Sequence, residues 1–552
     1  MSHSSDDTPT GPIGGQTQRI PGAAAHRVRA GAAAAPGPTP GWTTVRDLTA
    51  AALLVVAPLL PWNLYFGLGI PGTSGTAFAV LLAVTLLSLL ALGVTRLGPV
   101  ASHPAVAGRL RVGFNAPYLL LVLAFVGFDV FETVRFAGTV QVPGGVGPGA
   151  WLGVAGALLS AQPASTDPAD RRFPLVRVLG YASMLGAALS FGFNLYWRVK
   201  YALGGSEFGR QNVAVITSAV VYGVVALVAV LVASTWLVRT TKASRLATVA
   251  LGASELVAGI LVWILPVGRD VDAFHGIAQN TSTAGVGFEG YLAWAAAAAL
   301  FAPRTLADHR ATRATEANAW RAAARNGLLL VAVWCLGSIA MRLTDLTVAV
   351  SLNYPFSRYD SIVLAGFDLV TAALALWLRV NLANDAVSAR LVSSLCGLVA
   401  TLSVSRVVLG VALAPRFQET PNAAAQNPVY GNDLAQQITS VFDVTLCGLA
   451  LCILTAAIVT GRRRRRGPNR TAPAGARRPS AAPTTRVRVP RPAPPSAAAT
   501  TRIPTGAPGA GAEHPTTVIP QAGPRLFRGD DSTTGQIPVP KPRIFRAPHD
   551  TK

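Results

Sequence analysis

A chain of 552 residues with 51% hydrophobic and 13% charged residues, at a mean hydropathy of +0.43, carries too little polar surface to be solvated as a globule, which excludes a soluble enzyme or binding module. The formal net charge of +22 does not point to nucleic acid, because the arginines stand in short loops or in Pro-spaced tails without interleaved aromatics. The composition predicts an all-α fold, a polytopic transmembrane helix bundle over residues 48–460, between an N-terminal tail (1–47) and a basic Pro/Thr-rich C-terminal tail (461–552).

The N-terminal tail has no apolar core of the kind a cleavable signal peptide needs, so none is expected. Both tails are predicted to be disordered, since they are too poor in aromatic and aliphatic residues to offset the entropy of ordering. Following the chain, apolar segments at 48–66, 76–95, 117–137, 150–162, 178–197, 213–238, 246–267, 288–302, 326–350, 361–378, 391–414 and 437–460 predict about twelve spans. The fourth and eighth are short, and three arrangements fit them: little tilt, extension into the Gly-rich approaches, or re-entrant segments. Arginines concentrate in alternate loops, among them Arg96, Arg109, Arg111, Arg171, Arg172, Arg239, Arg304, Arg313 and Arg379. The positive-inside rule then predicts a plasma-membrane protein with both termini in the cytoplasm, and the Arg462–Arg466 run after the last span fits attraction to anionic lipid.

Two pairs of segments recur in the same order. Asn63-Leu64-Tyr65 is matched by Asn194-Leu195-Tyr196, and "GGVGPGAWLGVAGALL" (144–159) by "AGVGFEGYLAWAAAAAL" (284–300). Spans 1–4 and 5–8 therefore read as two parallel copies of a four-helix unit, with spans 9–12 as a third, diverged copy.

Ionisable residues inside spans are expensive and point to function. They are Asp129, Glu132 and Arg135 in span 3, Glu255 in span 7, Arg342 and Asp345 in span 9, Asp368 in span 10, Arg406 in span 11 and Asp443 in span 12. Spacing of three puts Asp129, Glu132 and Arg135 within reach of one another, and likewise Arg342 and Asp345. Two roles fit: a polar cavity whose arginines receive an anionic headgroup or solute while carboxylates carry protons, or interhelical ion pairs that fix the bundle. Glu255 has no partner on its own helix and favours the first role; Arg135 and Arg406, towards span ends, favour the second.

No nucleophile elbow, phosphate-binding loop, zinc-protease motif or nucleotide-binding fingerprint appears, so ATP-driven transport within this chain is not expected. Asp270, Asp272 and His275 in one loop resemble the acidic pairs of polyprenyl-phosphate-dependent membrane glycosyltransferases, which keeps that class as a second alternative. No cofactor and no metal site are expected, and the four cysteines fall inside spans without a C-x-x-C.

The tails share one pattern, T-x-x-I-P, at Thr17, Thr500, Thr516 and Thr534. These threonines resemble acceptors of bacterial eukaryotic-like Ser/Thr kinases. The resemblance implies readers of the forkhead-associated class, which take phosphothreonine with the residue three positions on, here isoleucine in every copy. The Arg-over-Lys bias and Ala/Pro/Arg-rich tails resemble uncharacterised multi-pass membrane proteins of actinobacteria with Pro-rich cytoplasmic tails. The expected function is envelope-linked transport or lipid handling, with membrane lipids, a kinase and a phosphothreonine reader as partners. The alternative is a membrane scaffold whose tails recruit those partners.

Overall fold

The computed structural model describes residues 40–62, 74–96, 100, 103–136, 146–163, 173–204, 208–264, 290–307, 312–353, 358–384, 386–413 and 441–465. They belong to one compact unit, residues 1–472, and form an all-α bundle. Its twelve helices are α1 (Pro40–Val56), α2 (Gly75–Val94), α3 (Pro104–Arg135), α4 (Pro148–Ser160), α5 (Phe173–Leu203), α6 (Arg210–Arg239), α7 (Lys242–Ile264), α8 (Leu292–Ala307), α9 (Arg313–Leu352), α10 (Arg358–Asn381), α11 (Ala389–Leu413) and α12 (Val441–Arg465). Ten are long and apolar enough to cross a membrane, and α4 and α8 are the two shorter apolar helices. They correspond one to one to the spans read from hydropathy.

Two boundaries differ from the hydropathy reading. Helix α1 begins at Pro40, so residues 40–47, assigned to the tail, are helical. Their mixed polarity hides them from an apolar count, whereas Pro at the first position needs no N–H partner. Helix α9 runs for 40 residues, roughly 60 Å at 1.5 Å per residue, so the stretch before span 9 continues the helix beyond the hydrocarbon. Thr312 starts it, its hydroxyl accepting the Thr315 N–H at 3.3 Å, with Glu316 in the first turn.

Each consecutive set of four helices closes into a ring by packing first against second, second against third, third against fourth and fourth against first. Unit 1 is α1–α4, unit 2 is α5–α8 and unit 3 is α9–α12; unit 2 packs against both others.

Helix α4 runs antiparallel to α1 over the same depth. Its start meets the end of α1, where the Gly147 and Gly149 N–H groups donate to Trp62 and Pro61 carbonyls at 2.6 and 3.0 Å. Its far end meets the start of α1, where Arg46 Nη1 donates to Pro163 O at 3.0 Å. A re-entrant path is thereby excluded for α4. The short helix serves because it is buried along nearly its whole length. Gly149, Gly153 and Gly156 fall on one face, and a Cβ there would overlap Trp62, the Tyr118 hydroxyl and Leu54.

Helix α8 lies alongside α4 in parallel. Trp151 near the start of α4 stacks on Tyr291 at 4.6 Å between ring centroids, and Gln162 beyond the end of α4 donates to Ala299 O of α8 at 2.7 Å. Superposing the shared G-V-G of the recurring segments, 145–147 on 285–287, makes Trp151 and Tyr291 counterparts. Counterpart positions of the two recurring segments thus meet, with their rings tilted by 46°.

Candidate functional site

Unit 3 gathers five of the charged residues picked out by sequence. On α9, Trp334, Ser338, Arg342 and Asp345 recur at spacings of four, four and three, which aligns them along one face. That face meets Asp368 of α10, Arg406 of α11 and Asp443 of α12, all buried. Arg406 stands at the centre, with Nε 2.7 Å from Asp368 Oδ1 and Nη2 2.7 Å from Asp443 Oδ1. Trp334 Nε1 donates to the same Asp443 oxygen at 2.5 Å, and Arg406 Nη2 lies 3.4 Å from Ser338 Oγ. Arg342 Nε reaches Asp368 Oδ2 at 3.4 Å. The order is therefore Arg342, Asp368, Arg406, Asp443, alternating in sign. Such alternation is what a low-dielectric interior requires, because an isolated buried charge costs several kcal/mol.

Arg342 and Asp345 do not form the same-helix ion pair that their spacing allowed. Each turns to another helix: Arg342 to Asp368, and Asp345 to Tyr222 of α6, whose hydroxyl donates to Oδ2 at 2.5 Å. Arg342 is 3% exposed, and among the described residues neither of its Nη groups has a hydrogen-bond partner. A guanidinium presents these groups as a fork matched to two oxygens of a phosphate or carboxylate. Arg406 lies inside the bundle, not at an end from which it could snorkel.

The network sits towards one end of unit 3. Arg379 Nη1 holds the Arg325 carbonyl at 3.0 Å towards the other end, and Arg325 precedes Arg342 on α9 by roughly 25 Å.

In span 3, Glu132 and Arg135 do pair, at 3.3 Å, with Arg135 largely exposed and stacked 5.1 Å over the Phe136 ring. Asp129 is buried and also engaged. Glu255 stands apart on α7, fully buried, its two oxygens without hydrogen bonds although the Ala295 amide of α8 lies beside the carboxyl.

A second charged cluster escaped the sequence reading. Asp47 of α1 accepts from three arginines, Arg46 at 2.8 Å, Arg96 at 2.9 Å and Arg111 at 2.9 Å. Arg111 also approaches the Ser160 and Gln162 carbonyls at 3.4 Å, where the C-terminal end of α4 adds partial negative charge. Arg46 and Asp47 fall in the segment that hydropathy reads as tail, and Arg96 and Arg111 in a loop; one acid a turn or two inside the first helix is the available signal.

Thr17, Thr500, Thr516 and Thr534, like Asp270, Asp272 and His275, lie outside the described residues. Among the described residues no three His, Cys, Asp or Glu side chains converge as a metal would need. The unit 3 network has the chemistry of a relay of charges with one fork of donors unspent. No curated protein and no solved structure matches the chain. A family described as a domain of unknown function, DUF7937, matches residues 43–462, the whole span from α1 to the last helix. This chain belongs to the DUF7937 family, and the matched residues contain the helical bundle described above.

Proposed function

We propose that this protein is a multi-pass plasma-membrane carrier or lipid-handling protein that receives an anionic solute or lipid headgroup at Arg342, with both tails in the cytoplasm. The observation that carries the reading is a buried arginine whose two Nη groups have no hydrogen-bond partner among the described residues, within an alternating charge network. A guanidinium retained in the interior without its fork engaged is expensive unless an anion completes it in part of the working cycle. The neighbouring carboxylates limit affinity, so that an anion can leave as well as enter. Phosphorylation of Thr17, Thr500, Thr516 and Thr534 by a Ser/Thr kinase, read by a forkhead-associated-domain protein, is the proposed control.

The test compares lipids and anionic metabolites of a deletion strain, its parent and a strain complemented with Arg342→Gln. The expected result is accumulation or loss of one anionic species that the wild-type gene restores and Arg342→Gln does not, at equal protein level in the membrane. Restoration by Arg342→Gln but not by a chain cut after Gly467 rejects the carrier reading. It then favours the scaffold alternative, which rests on the four T-x-x-I-P motifs.

A further inference from the structure

Helix α7 carries the most isolated charge-bearing group in the bundle. Glu255 has no exposed surface, and neither carboxyl oxygen makes a hydrogen bond. It stands on the α7 face formed by Gly252, Glu255 and Gly259, at spacings of three and four. Gly252 is pressed against Trp294 and Ala298 of α8, and Gly259 against Pro148 and Trp151 of α4. The carboxyl is therefore enclosed where the two short buried helices meet, beside the Trp151–Tyr291 stack.

The helices packed on α7 are α4, α6, α8, α9 and α12. Helix α4 carries no ionisable residue, and α8 carries Arg304 alone, nine residues beyond Ala295 and roughly 14 Å along the axis. On α6, Tyr222 is committed to Asp345. On α9 and α12, Arg342 and Asp443 belong to the unit 3 network, Asp345 accepts from Tyr222, Cys335 and Cys447 are buried thiols, and the Cys452 thiol sits 3.9 Å from Ser254 Oγ. Among the described residues Glu255 forms no ion pair.

Two features decide what such a group does. An ionised carboxylate with neither counter-charge nor donors is so costly in an apolar enclosure that it takes up a proton instead. Yet the carboxyl lies beside the first turns of α8, which open with a π-helical turn at Gly290–Tyr291. The first amides of a helix have no intrahelical acceptor, and the dipole there favours negative charge. Single π turns of this kind recur at functional sites. The Ala295 amide of those turns stands beside the carboxyl as a donor for its anion.

We propose that Glu255 is a reversible proton-binding site in the membrane interior. It is protonated while enclosed between α7 and α8, and it releases the proton to water when the α8 amides come to solvate the anion. One O–H bond breaks on release and re-forms on uptake. A metal cation fits poorly: among the described residues no three His, Cys, Asp or Glu side chains converge, and Ser254 on the same helix donates to the Ala250 carbonyl and faces α12.

The experiment uses the full chain in phospholipid nanodiscs and dicyclohexylcarbodiimide, which modifies protonated carboxyls in apolar surroundings, with the site mapped by peptide mass spectrometry. Modification of Glu255 is expected at acid pH, falling at least tenfold as the medium is made alkaline and absent in Glu255→Gln. The paired carboxylates Asp368 and Asp443 should stay unmodified. Infrared difference spectra between the two pH values should show a protonated-carboxyl band that Glu255→Gln removes. An unmodified Glu255, or a carboxyl band that does not change with pH, overturns the proposal, because either means a permanently closed structural acid. Glu255→Gln reproduces the shape of the protonated acid and should unfold at the parent temperature; should it not fold, the pH dependence in the parent chain still decides. No transport is read, so failure here leaves the role of Arg342 open, and failure at Arg342 leaves the proton site standing.

Discussion

Arg406 lies 2.7 Å from both Asp368 and Asp443, whereas Arg342 reaches Asp368 only at 3.4 Å. Replacing Arg406 by Leu removes the cation that both buried acids share. The expected loss is about 3–5 kcal/mol, seen as a large drop in unfolding temperature in detergent. Adding Asp443→Asn to Arg406→Leu should recover part of that loss, because the second change removes one of the stranded charges. A second residue-scale prediction concerns contact without charge. Gly153→Ala should destabilise the bundle by about 1–3 kcal/mol, since its Cβ would enter the Tyr118 hydroxyl. Gly113→Ala, where nothing lies within 4 Å, should be neutral in the same assay.

At the scale of elements, α6 and α9 are joined across units by Tyr222 and Asp345, which makes that hydrogen bond a direct probe of how units 2 and 3 meet. Tyr222→Phe should cost about 1–3 kcal/mol, the usual result of leaving a buried acceptor without its donor. A charge swap of Arg342 with Asp345 should destabilise at least as much as either single neutralisation. It would set an acid against Asp368 and a cation against Tyr222, whereas a self-contained pair on α9 would survive the exchange. Hydropathy read the helices well because a span is a local property: length and apolar content sufficed to find α4 and α8 and to mark them as short. Pairing is not local. Spacing made Arg342 and Asp345 neighbours on one helix, but the geometry of four packed helices assigned each a different partner. Trp334 and Tyr222 entered the site as donors that no charge count reveals. Asp47 was missed for the complementary reason, that a polar first turn resembles a tail until its three arginines are brought to it.

Across the whole molecule, the concentration of arginines in alternate loops predicts the side on which each loop lies. Reporters fused after His103, Asp308 and Gly467 are expected to read as cytoplasmic, and those after Gly145, Gly276 and Asn432 as external. A cytoplasmic signal at Gly276 is incompatible with α7 and α8 both crossing. Within this frame α9 has a property that follows from its length. No proline interrupts its 40 residues, and it joins Arg342 in the buried network to Arg313, roughly 44 Å away along the axis. A stiff rod gripped near one end is a lever: a tilt of about 10° at Arg342 sweeps Arg313 through roughly 8 Å. Rearranging one ion pair inside the bundle is thereby magnified into a displacement large enough for another molecule to sense at the far tip.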